Sequence, residues 1–163
     1  MALLKPNFMK AWMHFSKINV SVKEVGKKIG GYVAINIDSG VFQNACPIRM
    51  SYVLNKCGIF NPKSSKYAVV SGKDKKQYMY RVNDMIPYLE TIFGKPDITI
   101  KSPKRTNCTG KKGIIVFSRS GWSNARGHVT LWNGNICSDA CHFMGSDENG
   151  TFIPEKAYLW VLS

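Results

Sequence analysis

The hydrophobic pattern of this chain changes period near Pro96, and that change limits the folds open to it. Before Pro96, cap and stop signals mark helices. Asn7 caps a short helix through His14. Ser21 with Glu24 makes an S-x-x-E capping box, predicting a helix over 22–28 ended by Gly30-Gly31. Pro47 to Lys56 reads as a helix with Gly58 as its stop: Ile48, Ser51, Tyr52 and Asn55 follow one row, Met50, Val53, Leu54 and Cys57 another. Asn83 caps a further helix, with Asp84 in its first turn, Pro87 early enough to be tolerated, and Gly94 and Pro96 closing it. Residues 31–45 read as irregular chain and 61–77 as polar loop. After Pro96 the runs Ile98–Ile100, Gly113–Ser118, Gly127–Trp132 and Ala157–Leu162 are short and rich in β-branched and aromatic residues. Helices first and strands afterwards argue an α+β fold, N-terminal helices packed on a C-terminal antiparallel sheet. A length of 163 residues suits one domain, helical over about 1–95 and β-rich over about 96–163.

Charge narrows the function classes. The chain carries 23 basic and 10 acidic residues, net +13. Residues 1–55 contribute +5, residues 56–112 contribute +9 and residues 113–163 contribute −1. A basic block beside a near-neutral C-terminal third attracts anionic polymers or acidic partners, without choosing among nucleic acid, lipid, cell wall and protein. With 44% hydrophobic residues the chain is no disordered protein. No apolar run reaches the roughly 18 residues of a membrane span, so membrane insertion is not expected. Lys5, Pro6, Asn7 and Lys10 interrupt any apolar h-region, so no signal peptide is expected either.

Asn44-Ala45-Cys46-Pro47 is the first segment that carries chemistry. Proline is favoured in the first turn of a helix, where its missing N–H costs nothing. That places Cys46 at a helix N-terminus, whose partial positive charge and free N–H groups stabilise a thiolate. Cys57, on an apolar row of the same helix, reads as structural.

A hairpin supplies the second element. Asn133-Gly134 separates Gly127–Trp132 from Asn135–Asp139, the signature of a two-residue type I′ turn. In that register Trp132 faces Asn135, Thr130 faces Cys137 and His128 faces Asp139. A carboxylate opposite an imidazole is the base-and-orienter half of a thiol-nucleophile triad. A bulge between 135 and 139 would turn Asp139 to the other face. His14 reads as a helix-packing residue and His142 as a surface residue.

Cys137 and Cys141 flank Asp139, and three readings stay open: a disulfide, favoured in an oxidising compartment; a zinc site completed by His142 and Cys108; and two free thiols.

Phe42-Gln43-Asn44-Ala45-Cys46, Ile48-Arg49-Met50-Ser51, Gly127-His128-Val129-Thr130-Leu131-Trp132 and Cys137-Ser138-Asp139 together resemble the type VI secretion amidase effectors of family 4. The similarity spans essentially the whole chain. It implies a papain-like, NlpC/P60-type cysteine amidase in a single catalytic domain. It further implies Cys46 as nucleophile, His128 as base, Asp139 as orienting acid, and a structural or regulatory Cys137–Cys141 disulfide. The implied substrate is the γ-D-glutamyl–meso-diaminopimelate bond of peptidoglycan stem peptides. The implied partners are a cognate immunity protein and the type VI apparatus, with synthesis in the producer cytoplasm and action in the target periplasm. The chemistry needs no metal or organic cofactor. The Cys46 backbone N–H reads as an oxyanion donor, and loop 119–126 with Trp122 and Gly127 as a wall of the substrate cleft. A basic nucleic-acid binder stacking bases on Tyr78, Tyr80 and Trp122 is the alternative from another class. A thiol protease acting on ordinary polypeptides shares the triad. A two-carboxylate muramidase is disfavoured, since no acid pair stands out.

Overall fold

The four expected helices form, and a fifth appears among them. The computed structural model describes residues 5–119, 127–148 and 150–163. Helix α1 spans Phe8–Ile18, with Asn7 Oδ1 accepting the Lys10 N–H at 3.0 Å. Helix α2 spans Val22–Ile29, capped by the Ser21 hydroxyl on the Glu24 N–H. Gly30 and Gly31 then take φ of 68° and 60°, a left-handed pair that turns the chain straight into α3, Gly31–Asp38. Irregular chain was expected there. The helix buries only Val33 and Ile37 and leaves Tyr32 and Ile35 exposed, so its apolar residues show no clean periodic face. Helix α4 spans Cys46–Lys56 and α5 spans Val82–Phe93. Asn83 is not the cap of α5: the helix starts two residues earlier than that cap would place it, at Val82 behind Arg81, without a side-chain cap. Asp84 instead accepts the Ala68 N–H at 2.8 Å, tying the preceding loop to the helix.

Strands β1 (Val69–Ser71) and β2 (Gln77–Met79) form a small hairpin around the stretch expected to be loop. Its lysine-rich turn hides it in the sequence. Gly72 permits the turn, because a Cβ there would sit 2.7 Å from the Tyr78 ring and 2.8 Å from Ile29. The main sheet comprises β3 (Ile98–Lys101), β4 (Gly113–Ser118), β5 (His128–Trp132) and β8 (Lys156–Val161). It is antiparallel throughout, in the order β3-β8-β4-β5. A second hairpin, β6 (Gly145–Asp147) with β7 (Gly150–Phe152), was not foreseen; its residues are polar or glycine up to Phe152.

The period-2 pattern of β4 and β5 divides the interior. Ile114, Val116, Val129 and Leu131 pack under the helices, whereas Ile115, Phe117 and Trp132 face a second core with Cys108, Cys137, Cys141 and Phe143. Helix α4 lies between α1, β2 and β5. Both of its expected rows face the interior, with Ser51 and Asn55 buried and Tyr52 and Cys57 half-buried. Their polar groups are satisfied: Ser51 Oγ accepts the Met79 N–H, Asn55 Nδ2 donates to Gln77 O, and Asn55 Oδ1 accepts from the backbone and side chain of Asn61. This network fastens the β1–β2 hairpin to the helix that begins with Cys46. Asn55→Ala strands the Gln77 carbonyl and the Asn61 N–H. We expect about 2–4 kcal/mol of destabilisation, read from the urea midpoint at unchanged m-value.

Candidate active site

Cys46 is the first residue of α4 and is buried, with Pro47 second. The N-cap, Ala45, has no capping side chain. Asn44 substitutes for it: its Oδ1 accepts the Cys46 N–H at 3.1 Å. This N–H, expected to be an oxyanion donor, is held by the Asn44 side chain in this structure.

His128 opens β5, the outer strand of the main sheet, opposite Phe117 of β4. The expected hairpin register does not occur. Residues 135–139 form no strand, and a single bridge pairs Trp132 with Cys137 rather than with Asn135. The cause is Asn133. Its Oδ1 accepts the N–H groups of both Asn135 and Ile136, at 2.9 and 2.8 Å, which builds a four-residue turn instead of a two-residue one. The pairing slips by two residues. An even slip preserves the face of every side chain, so Asp139 still arrives beside His128.

His128 Nε2 meets Asp139 Oδ1 at 3.1 Å. Thr130, two residues along the same face of β5, donates to the same oxygen at 2.6 Å. The proton order of the chain follows. Thr130 spends its one proton on Asp139, so the Ser138 hydroxyl donates to Thr130 Oγ1 at 2.9 Å and accepts the Leu131 N–H at 3.3 Å. Only its spacing of two from His128 along the strand marks Thr130 in the sequence.

Burial works against a charged His128, but the hydrogen bond to Asp139, then the hydrogen bond and charge of Cys46, outweigh it and push the imidazole up to about 10. Burial likewise opposes the Asp139 carboxylate. The His128 hydrogen bond and charge, with the Thr130 hydroxyl and the Ala140 N–H, hold it below the usual carboxylate range. With Asp139 on Nε2, Nδ1 is the ring nitrogen left for Cys46.

His142 is no ordinary surface residue. Its ring stacks on His128 with centroids 4.1 Å apart and planes 10° from parallel, and Phe152 of β7 stacks beyond it at 4.1 Å. A cleft of about 620 Å³ opens above these rings, lined also by Gln43, Asn44, Arg119 and Gly127. Gly127 is small for a packing reason: a Cβ there would come within 2.6 Å of Val82 and 2.7 Å of the Phe117 carbonyl oxygen. Trp122, expected in the same wall, lies outside the described residues.

Cys137 and Cys141 form a disulfide with Cα atoms 5.3 Å apart. Of the residues named for a zinc site, Cys137 and Cys141 are oxidised to the disulfide, Cys108 is buried in the same second core and the His142 ring is stacked on His128. Of the aromatic residues named for base stacking, Tyr78 is buried with its hydroxyl donating to Asp74, Tyr80 stacks on Phe42 at 4.5 Å, and Trp122 lies outside the described residues.

Helices packed on an antiparallel sheet, with a cysteine at a helix start and a histidine on the sheet edge, define the papain-like, NlpC/P60-type α+β class. The sequence profile described as type VI secretion system amidase effector protein 4 matches residues 42–160. The chain belongs to that family, the type VI secretion amidase effectors of family 4, and is an enzyme of the amidase kind. Among solved structures, the Tae4–Tai4 effector–immunity complex from Enterobacter cloacae has a chain 59% identical, covering 98% of this chain and 100% of that one, with a TM-score of 0.92. Tae4 from Enterobacter cloacae alone is 57% identical over 100% of both chains, with a TM-score of 0.91. Tae4 from Salmonella typhimurium, in complex with Tai4 from Enterobacter cloacae, is 58% identical over 98% and 100%, with a TM-score of 0.91. No curated protein sequence matches the chain.

Two outcomes follow from this geometry. His128 keeps its proton up to about pH 10, so an activity that uses the charged ring falls as pH rises through that value. Asp139→Asn removes the carboxylate that holds the proton and moves this alkaline limb toward the ordinary histidine value, which a pH profile of kcat/KM measures. Cys137→Ser with Cys141→Ser opens a loop of a few residues. About 2 kcal/mol of stability is lost by the loop-entropy relation, and kcat falls because Asp139 sits inside that loop; denaturation and turnover read the two effects separately.

Proposed function

We propose that Cys46, His128 and Asp139 form the catalytic triad of a peptidoglycan amidase that cleaves the γ-D-glutamyl–meso-diaminopimelate bond. The observation that carries this reading is the buried His128 ring, hydrogen-bonded to Asp139 through Nε2 and close enough to Cys46 for the thiol to raise its pKa. The Cys46 thiolate attacks the amide carbonyl carbon. The protonated His128 gives its proton to the diaminopimelate amine as the C–N bond breaks, leaving a thioester on Cys46. Neutral His128 then takes a proton from water, whose oxygen attacks the thioester and releases the glutamyl carboxylate. Asp139 keeps the ring oriented through both steps and stabilises its charge. The Cys46 N–H serves the oxyanion only when Asn44 turns away from it. Arg119, Gln43 and the stacked rings form the walls that receive the stem peptide. The residues of the whole chain act as a single catalytic domain.

As a type VI effector the protein is secreted. The site of action we assign is the periplasm of a target cell, after synthesis in the producer cytoplasm. The Cys137–Cys141 bond supports it, because disulfides persist in oxidising compartments. Two of these solved Tae4 relatives are in complex with Tai4 immunity proteins, and a cognate immunity protein of that kind is the partner we assign to this chain in the producer. Purified peptidoglycan digested by the wild type releases fragments with a free diaminopimelate amine, identified by mass. Cys46→Ala releases none, and Asp139→Asn is slowed at least ~100-fold. Full activity in Cys46→Ala would sink the mechanism.

A further inference from the structure

We propose that His142 is a positioning residue: clamped between Phe152 and His128, its ring holds the His128 imidazole in the plane that presents one nitrogen to Asp139 and the other to Cys46. A hydrogen bond at one edge of a ring fixes a point and leaves the ring free to tilt about the bond. Fixing the plane takes contact with a face. The His142 ring supplies it, 4.1 Å away and within 10° of parallel. Phe152 backs it from the far side at 4.1 Å and 16°, and Phe117 flanks it at 6.1 Å. Three rings thus form one column running from the β6–β7 hairpin to His128.

The chain delivers this plate economically. The disulfide ring closes at Cys141, and His142 is the next residue. The same short loop therefore brings Asp139 to the edge of His128 and His142 to its face. A stacking partner for a charged ring must itself stay neutral, since two imidazolium rings 4 Å apart would repel. Burial, then the charge of His128, hold His142 down to about 4; Arg119 adds to this, while Asp139 and Asp147 pull the other way. His142 is therefore a neutral plate wherever His128 is charged and the fold intact.

This inference rests on Cys46 and His128 being nucleophile and general base, and the two readings fail differently. Activity in Cys46→Ala defeats the triad. An inactive Cys46→Ala beside an unimpaired His142→Ala defeats only the present proposal. The experiment measures kcat and KM on a stem-peptide substrate, and the rate at which iodoacetamide alkylates Cys46, in His142→Ala and His142→Phe. Loss of one aromatic stack lowers kcat about three- to tenfold in the alanine variant. Alkylation slows in parallel and KM stays within about twofold. Phenylalanine, which preserves the column, restores both rates to within about twofold of wild type. A folded alanine variant with wild-type kcat and alkylation overturns the proposal. So does a defect confined to KM, which makes His142 a substrate contact, and so does a phenylalanine variant as impaired as the alanine one. If His142→Ala does not fold, Phe152→Ala decides: a lower kcat at constant KM supports the column, and an unchanged kcat overturns it.

Discussion

One carboxylate oxygen, Asp139 Oδ1, organises the site. It accepts from His128 and from Thr130 at once, and Thr130 is itself held by Ser138. Four residues from two segments therefore share one proton arrangement, with no freedom to reverse any bond. Such a network is stiff only while every member is satisfied, because an unpaired group in a low-dielectric setting is costly. The carboxylate lies in the loop that the Cys137–Cys141 disulfide closes, and the disulfide sulfurs belong to the second core below the sheet. The covalent bond thus ties the acid to Trp132, Phe143 and the underside of β4 and β8. The thiol comes from the opposite side, on a helix packed into the first core. His128 sits on the strand edge where the two layers meet.

That arrangement explains why α4 buries polar side chains. A helix packed only by apolar contacts can slide or rotate with little penalty, and a shift of 1 Å at a reacting atom is expensive. Ser51 and Asn55 fix α4 against β2 by hydrogen bonds that have direction as well as length. The helix start, and Cys46 with it, is held in register with the β1–β2 hairpin. The hairpin also reaches α3 through β1. The β1–β2 hairpin, although outside the site, thereby helps to hold the start of α4 in place.

What was legible from the chain divides along physical lines. Caps and stops depend on neighbouring residues, so the start of α1, the whole of α2 and the end of α5 could be read directly, whereas α1 runs on to Ile18, a turn past the expected His14. The β4 and β5 runs were legible because the apolar residues of a sheet interior are β-branched and contiguous. Helix α3 escaped because it exposes half its apolar residues, and β6 and β7 because they are polar and glycine-rich. The expected His128–Asp139 contact forms, but by a route other than the expected hairpin register. Asn133 supplies two side-chain hydrogen bonds that a two-residue turn cannot accommodate, and the resulting slip happened to be even. An odd slip, from the same dipeptide, would have aimed Asp139 away from His128. The aromatic column was invisible for a different reason: it joins residues 128, 142 and 152, and no local signal links them.

Charge is distributed to suit two tasks that act over different ranges. The basic block of residues 56–112 carries +9, whereas the third that holds His128 and Asp139 is at −1. Exposed charges attract a polyanion over roughly a Debye length, about 8 Å at physiological salt, and serve encounter rather than chemistry. The proton that the proposed mechanism places on His128 needs the reverse environment. A lysine beside His128 would depress its pKa and empty the charged state which that mechanism uses. The groups that move His128 most are Asp139 and Cys46, both short-range and both buried partners. Separating the two along the chain lets the surface be strongly cationic while the imidazole answers to its own carboxylate and thiol. More lysines in the 56–112 block would then change how often the wall is met, and a single positive charge placed beside the β5 edge would change whether the bond is cut.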